Sequence, residues 1–299
     1  MSQSYNTHRD KQNRLHRMSS PIQQIPKTSM WPAAARWREH VLMYVVRDTR
    51  GCSLNTVDSI NHFPPTPYYC ITWMLDGELK LVQQGEQSCD QRLPKICVVG
   101  CQSRYGATLN VGDRNSFMAV FFSDAFHTLF EVDLSDLQDR FVDARQLLKV
   151  EGIAFVDAVA NAENHQLRIE LIENFLAAHT ATLSLSPWLR IRRLGSNLSV
   201  RIASTLLGVG ERQAQRRARR EAGLSLLSLA RLSRAKRSHS AVKVQLRQGA
   251  ALNWAQHANE QGYADQSHMV KECKELTGHS PQRLVEAVKK NESRWLYRL

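Results

Sequence analysis

No stretch of this 299-residue chain is long and apolar enough to read as a membrane span. The longest charge-free run, Ser59–Leu75, carries Pro64, Pro65 and Pro67, which break a spanning helix. The N-terminus, MSQSYNTHRDKQNR, has no apolar leader, so a soluble cytoplasmic protein with no membrane partner is expected. Residues 31–189 hold His40, His62, His127, His165 and His179 but no His-x-His pair with a following carboxylate. A metal site needs several converging ligands, so neither a metal nor a cofactor is expected and an enzyme is not. Zinc favours two close thiol pairs, whereas only Cys97 and Cys101 lie four apart among the cysteines between Cys52 and Cys101. Those cysteines read as packing residues on strands in preference to zinc ligands or a thiol sensor.

Acidic residues are scarce where basic ones gather. Residues 1–30 have a net charge of +4, residues 31–189 of −6 and residues 190–299 of +14, within a total of +12. A basic final third beside an acidic middle is the asymmetry of a polyanion-binding domain joined to something else. A merely solubilising surface would mix the signs more evenly. A membrane-surface helix would need one long amphipathic stripe, whereas these basic residues alternate with turn signals.

Residues 1–30 lack apolar periodicity and are expected to form a basic, disordered tail. Strand signals follow at His40–Val46, Tyr68–Leu75, Glu78–Val82, Ile96–Val99 and Ser116–Phe122, with Asp76-Gly77 predicting a hairpin turn between the second and third. Alternation puts Tyr69 and Trp73 on one face and Tyr68 on the other, with core burial expected for whichever faces inward. The pattern changes at Phe126, Leu129 and Phe130, then again over Glu163–His179, where helices are predicted. Ser/Thr-rich Thr180–Pro187 reads as a linker. The expected division is a tail at 1–30, a β domain at 31–180, a linker at 181–195, a helical domain at 196–290 and a tail at 291–299.

The basic third contains a repeat. The first copy is SVRIASTLLGVGERQAQRRARREAGLS and the second WAQHANEQGYADQSHMVKECKELTGHSP. Each has a small residue four positions before a glycine, Ser204 before Gly208 and Ala258 before Gly262. Such a glycine adopts the positive φ of a sharp turn, and the small residue lets a second helix cross closely. Asn253 and Asp265 suit helix starts, Gly223 and Gly278 helix ends. On the second helix of each copy, Arg212, Gln215, Arg216 and Arg219, and then Gln266, Ser267, Val270, Lys271 and Lys274, are predicted to face away from the packing side. Arginine pairs with guanine O6/N7 and glutamine with adenine N6/N7, so these faces suit major-groove edges. Arg192, Arg193, Arg217, Arg220, Lys236 and Arg237 are expected to meet phosphates or solvent.

The repeat resembles the C-terminal domain of the AraC/XylS family of bacterial transcription regulators. GVGERQAQRRARREAGLS resembles that family's first unit, and the GY-x-D-Q-S-H segment followed by TG-x-SP resembles its second. The resemblance implies an α+β chain: a cupin-like β-barrel or sandwich sensor, and an all-α domain of two helix-turn-helix units joined by a helix near Leu226–Leu246. It implies double-stranded DNA, RNA polymerase as contacted by an activator, a small-molecule effector and a homodimer as partners. Ala214 and Ala218 stand where the family packs large apolar residues, Met269 and Cys273 replace aromatics, and His257 replaces an aliphatic residue. Unless something fills the space, such truncation costs about 3–5 kcal/mol and weakens the first unit. LPKICVVG and RNSFMAVFFSDAFHTLF resemble sensor domains of the family more weakly. The competing expectations are a cupin-type small-molecule enzyme and a non-specific nucleic-acid-binding protein.

Overall fold

The computed structural model describes residues 24–183, 188, 191, 200–249 and 251–299. Strands β1 (Lys27–Trp31), β2 (Val41–Asp48), β3 (Ile60–Phe63), β4 (Tyr69–Gln84), β5 (Gln87–Arg92), β6 (Ile96–Val99), β7 (Gly106–Phe121) and β8 (Phe141–Asp143) form one antiparallel sheet. Its path is β1-β2-β7-β4-β6-β8, with β3 on β7 and β5 on β4. The two sixteen-residue strands, β4 and β7, are a shared spine. Residues 69–76 of β4 and 115–121 of β7 pair together and take β6 and β2 as outer neighbours. Their other halves take β5 and β3.

Register sets the core. Tyr69, Ile71 and Trp73 lie opposite Phe121, Ala119 and Phe117, and all six are buried. Each large side chain removed from water contributes roughly 1.5–3 kcal/mol. Helices α1 (Ser123–Phe130), α2 (Ala144–Leu147), α3 (Val150–Asn161), α4 (His165–Ala178) and α5 (Thr180–Leu183) follow. Phe126, Phe130, Phe155 and Phe175 pack ring on ring in this core, and Trp73 Nε1 donates to the Val156 carbonyl at 2.9 Å.

Four sequence expectations fail here, wholly or in part. Asp76-Gly77 does not turn a hairpin: β4 runs through it as a register shift. Gly77 has φ +77°, and a Cβ there would lie 2.0 Å from the Asp113 carbonyl oxygen, so the glycine allows the two long strands to kink together. The N-terminal tail is interrupted by β1, whose Lys27 and Trp31 pair with Asp48 and Tyr44. The segment expected as a C-terminal tail is a 3₁₀ turn, Glu292–Arg298, pinned to the sheet by buried Trp295 and Tyr297. In the expected linker, residues 181–183 are helical and Leu183 is buried in the β-domain core, while 184–187 lie outside the described residues.

The helical region comprises α6 (Val200–Leu207), α7 (Glu211–Ala222), α8 (Leu226–Arg247), α9 (Trp254–Glu260), α10 (Gln266–Thr277) and α11 (Pro281–Lys290). It meets the sheet in two places: Leu224, Leu232 and Leu276 join the β-domain core, where α7 packs beside α1, while Trp295 meets Val45 and Met118 on the other face.

Candidate nucleic-acid interface

The first unit begins with α6, which stops at Gly208, where φ is +63°. On α7, Ala214, Ala218 and Ala222 recur every four residues and are buried against Ala203, Leu207 and Leu226. Trp188 and Ile191 complete that cluster. Trp188 supplies the bulk that alanine lacks, and this answers the expected loss of a large residue in the first unit. Its Nε1 donates to Glu221 at 2.8 Å, and Arg217 and Arg220 donate to the same carboxylate at 3.0 and 2.6 Å. Burial pushes the Glu221 pKa up, but those donors outweigh it and bring it down to about 2. Arg217 and Arg220 thus both pair with an internal carboxylate, Arg220 with its side chain still more than half exposed.

The remaining face of α7 is open. Arg212, Gln215, Arg216 and Arg219 are all exposed and side by side, as the spacing predicts. The helix ends at Gly223, in the left-handed region at φ +73°. A Cβ on Gly223 would fall 2.1 Å from Tyr69 Oη, so the end of α7 is seated directly on the sheet. The Leu134 amide donates to the Arg220 carbonyl at 2.8 Å beside it.

The second unit repeats the plan with different chemistry. Asn253 Oδ1 accepts from the amides of Ala255 and Gln256, both at 3.1 Å, and starts α9. Ala258 is fully buried and Gly262 has φ +75° at the turn. Asp265 Oδ1 accepts from the His268 amide at 2.7 Å and starts α10, which Gly278 ends at φ +73°. Met269 packs with Tyr263, Ala258 and Trp254, while Cys273 is half-buried. Gln266, Ser267, Lys271 and Lys274 are exposed, and Val270 is half-buried at the edge of that face. His257, out of pattern in the sequence, is buried with its Nε2 2.9 Å from Ser238 Oγ of α8. Burial lowers its pKa, so it sits as a neutral hydrogen-bonding partner.

Helix α8 joins the units over 22 residues, one residue longer than expected at its C-terminal end. Ser225 caps it through the Ser228 amide at 3.1 Å. Arg234 of α8 grips buried Glu272 of α10 at 2.5 Å, and Arg231 pairs with both Glu272 and Glu275. Lys236 faces the β domain: it donates to Tyr68 Oη at 2.5 Å and lies 4.3 Å from that ring. Arg192 and Arg193 lie outside the described residues.

The helix-turn-helix family model matches residues 203–287, from within α6 to within α11. This stretch is an AraC-type helix-turn-helix domain. The matched domain supports a DNA-binding transcription regulator. No curated protein matches the chain. Solved structures similar to it include an apo lysine-to-alanine variant of ToxT from Vibrio cholerae strain SCE256, at 14% identity and TM-score 0.41, covering 82% of this chain and 96% of that one. ToxT from Vibrio cholerae O395 bound to (E)-4-(8-methylnaphthalen-1-yl)but-3-enoic acid is similar at 14% identity and TM-score 0.41, covering 76% and 97%.

Between the AraC-type domain and the sheet lies a cavity of about 370 Å³. Phe63, Pro65, Met74 and Val99 border it from the sheet side, Leu232 and Val285 from the helices. That volume falls in the range of small-molecule sites, about 300–1,000 Å³. Tyr69 and Trp73 belong to the opposite, core face, and Tyr68 borders the cavity, so the alternation read from the sequence separates core from pocket. Burial pushes the thiols of Cys70 and Cys101 up to about 11 and about 12, which suits packing and not thiolate chemistry. Among the described residues no three His, Cys, Asp or Glu side chains gather as a metal site.

Proposed function

We propose that the chain is a sequence-specific regulator whose two units enter adjacent major grooves and whose β domain answers to a small-molecule effector. The observation that carries this reading is the sidedness of α7 and α10. Their basic and amide-bearing faces are open, while their opposite faces are buried in the protein. At 1.5 Å per residue, α8 is about 33 Å long, close to the ~34 Å of one duplex turn. In this reading Gln266, Ser267, Val270 and Lys271 are the main base readers. Arg212, Gln215 and Arg216 read the neighbouring groove, with Arg219 and Lys274 beside them. The apolar cavity against α8, α10 and α11 is the effector site, since anything filling it touches the helices that hold both readers. RNA polymerase and a second copy of the chain are the further partners in this scheme, in the cytoplasm.

Footprinting of the whole chain on genomic duplex fragments, with random duplex and RNA as competitors, tests the proposal. Protection of two blocks one helical turn apart, resistant to random competitor, is expected. Uniform protection with equal competition by RNA would mean non-specific polyanion binding and would end it.

A further inference from the structure

The cavity is apolar, yet its charged border has one sign. Arg114, Lys236 and His239 border it, and no aspartate or glutamate among the described residues does. Of the three, Arg114 is the deep one. It stands in β7 two residues after Gly112, whose φ is +78°, and only 3% of it is exposed.

Among the described residues no carboxylate meets its charge. Arg114 Nε donates to Ser116 Oγ at 3.0 Å and Nη1 to Asn110 Oδ1 at 3.4 Å, both neutral oxygens. The neighbouring buried cation, Arg47, is matched by Glu292 at 2.5 Å, and the Trp295 ring lies between the two guanidinium groups, 4.9 Å from Arg47 and 5.8 Å from Arg114. Burial together with the Arg47 charge brings the Arg114 pKa down to about 9, still protonated at neutral pH. Arg168 and Arg294 are also buried with no carboxylate partner among the described residues, but neither borders this cavity. Lys236 is at the mouth, where Tyr68 Oη and solvent already serve it. His239 is desolvated, which favours its neutral form.

A protonated guanidinium buried beside an apolar void is costly unless an anion meets it. We propose that Arg114 is the anion anchor of the cavity and that the ligand is an apolar molecule bearing a single acidic group, its acid against Arg114 and its body along Met74, Leu79 and Val99. This deepens the effector reading and rests on it. The bound acid would sit beside Trp295, so the ligand would touch the segment that ties the second unit to the sheet.

Two fluorescent probes that differ by one sulfonate test this on the whole chain: 8-anilinonaphthalene-1-sulfonate and neutral N-phenyl-1-naphthylamine. The sulfonate is expected to bind at least about tenfold tighter. Arg114→Met is expected to erase that preference while changing affinity for the neutral amine less than about threefold. Cys70→Asp, which places a carboxylate beside an intact Arg114, should erase it too, and covers the case in which Arg114→Met does not fold. Lys236→Met should leave the preference in place. A preference that survives both Arg114→Met and Cys70→Asp, or one abolished by Lys236→Met, overturns the assignment. Equal binding of both probes to the unaltered chain ends the Arg114 proposal and leaves the effector cavity standing, whereas binding of neither ends both.

Discussion

The first helix-turn-helix unit buries three alanines and takes its bulk from Trp188, outside its own two helices, whereas the second packs Met269 against Tyr263 and Trp254 within its own span. The first closes on a single buried carboxylate shared by Trp188, Arg217 and Arg220, and the second is tied to the joining helix by Arg231 and Arg234. The same turn spacing thus supports two mechanical designs. One is wedged between the sheet and a tryptophan. The other hangs from α8 and is steadied by the 3₁₀ turn after α11.

The largest test of that contrast is Trp188→Ala. Losing a buried aromatic typically costs about 3–5 kcal/mol, and here it also strips a donor from Glu221. Thermal denaturation should show that loss, with protection at the first half-site disappearing before the second. Gly223→Ala comes next, at about 3 kcal/mol, since the substitution combines positive-φ strain with a Cβ 2.1 Å from Tyr69 Oη. Gly278→Ala meets only the edge of the Tyr105 ring at 3.1 Å and should cost about 1 kcal/mol. Equal melting shifts for the two glycine variants would show that Tyr69 yields and that the first unit is not wedged.

Base reading separates the units at the next level. Arg216→Ala and Lys271→Ala should each cost ~1–3 kcal/mol on the preferred duplex and relax selection at single base pairs in different half-sites. Equal weakening on all duplexes, with the log–log salt slope lower by about 0.9, would make either one a phosphate contact. The last contrast is acid sensitivity, which bears on the first unit. Glu221 is held at about 2 when folded and reverts to an ordinary carboxylate when unfolded, so its contribution is complete above about pH 4.5 and lost as pH falls toward 2. Melting between pH 6 and pH 3 should show Glu221→Gln with the shallower slope, by about 1–2 kcal/mol over that range.

Much of the helical third was legible because its signals are local. Gly208, Gly223, Gly262 and Gly278 turn or end helices within a few residues of where their spacing put them, and Asp265 and Asn253 cap as their side chains suggest. The sheet was legible only in part. Asp76-Gly77 serves a hairpin and a kinked pair of strands equally well, and what decides is β7, some thirty residues later in the chain. ESRWLYR carries too much charge to announce burial, yet Arg47 neutralises Glu292 and Asn61 accepts from Trp295 Nε1 at 2.8 Å. Trp188 as the partner of Ala214 and Ala218, Lys236 turned toward Tyr68, and Arg114 at the cavity are all contacts across long separations. Local pattern is silent on such contacts because chain topology brings them together.

The sharing of Leu224, Leu232 and Leu276 with the sheet's core has a practical consequence for handling. A fragment cut after the β domain to isolate the helical third would carry those leucines bare, and Trp295 as well, and such exposed apolar surface drives self-association. Clumping by the excised piece would then reflect the cut itself, and operator affinity is best measured on the intact polypeptide.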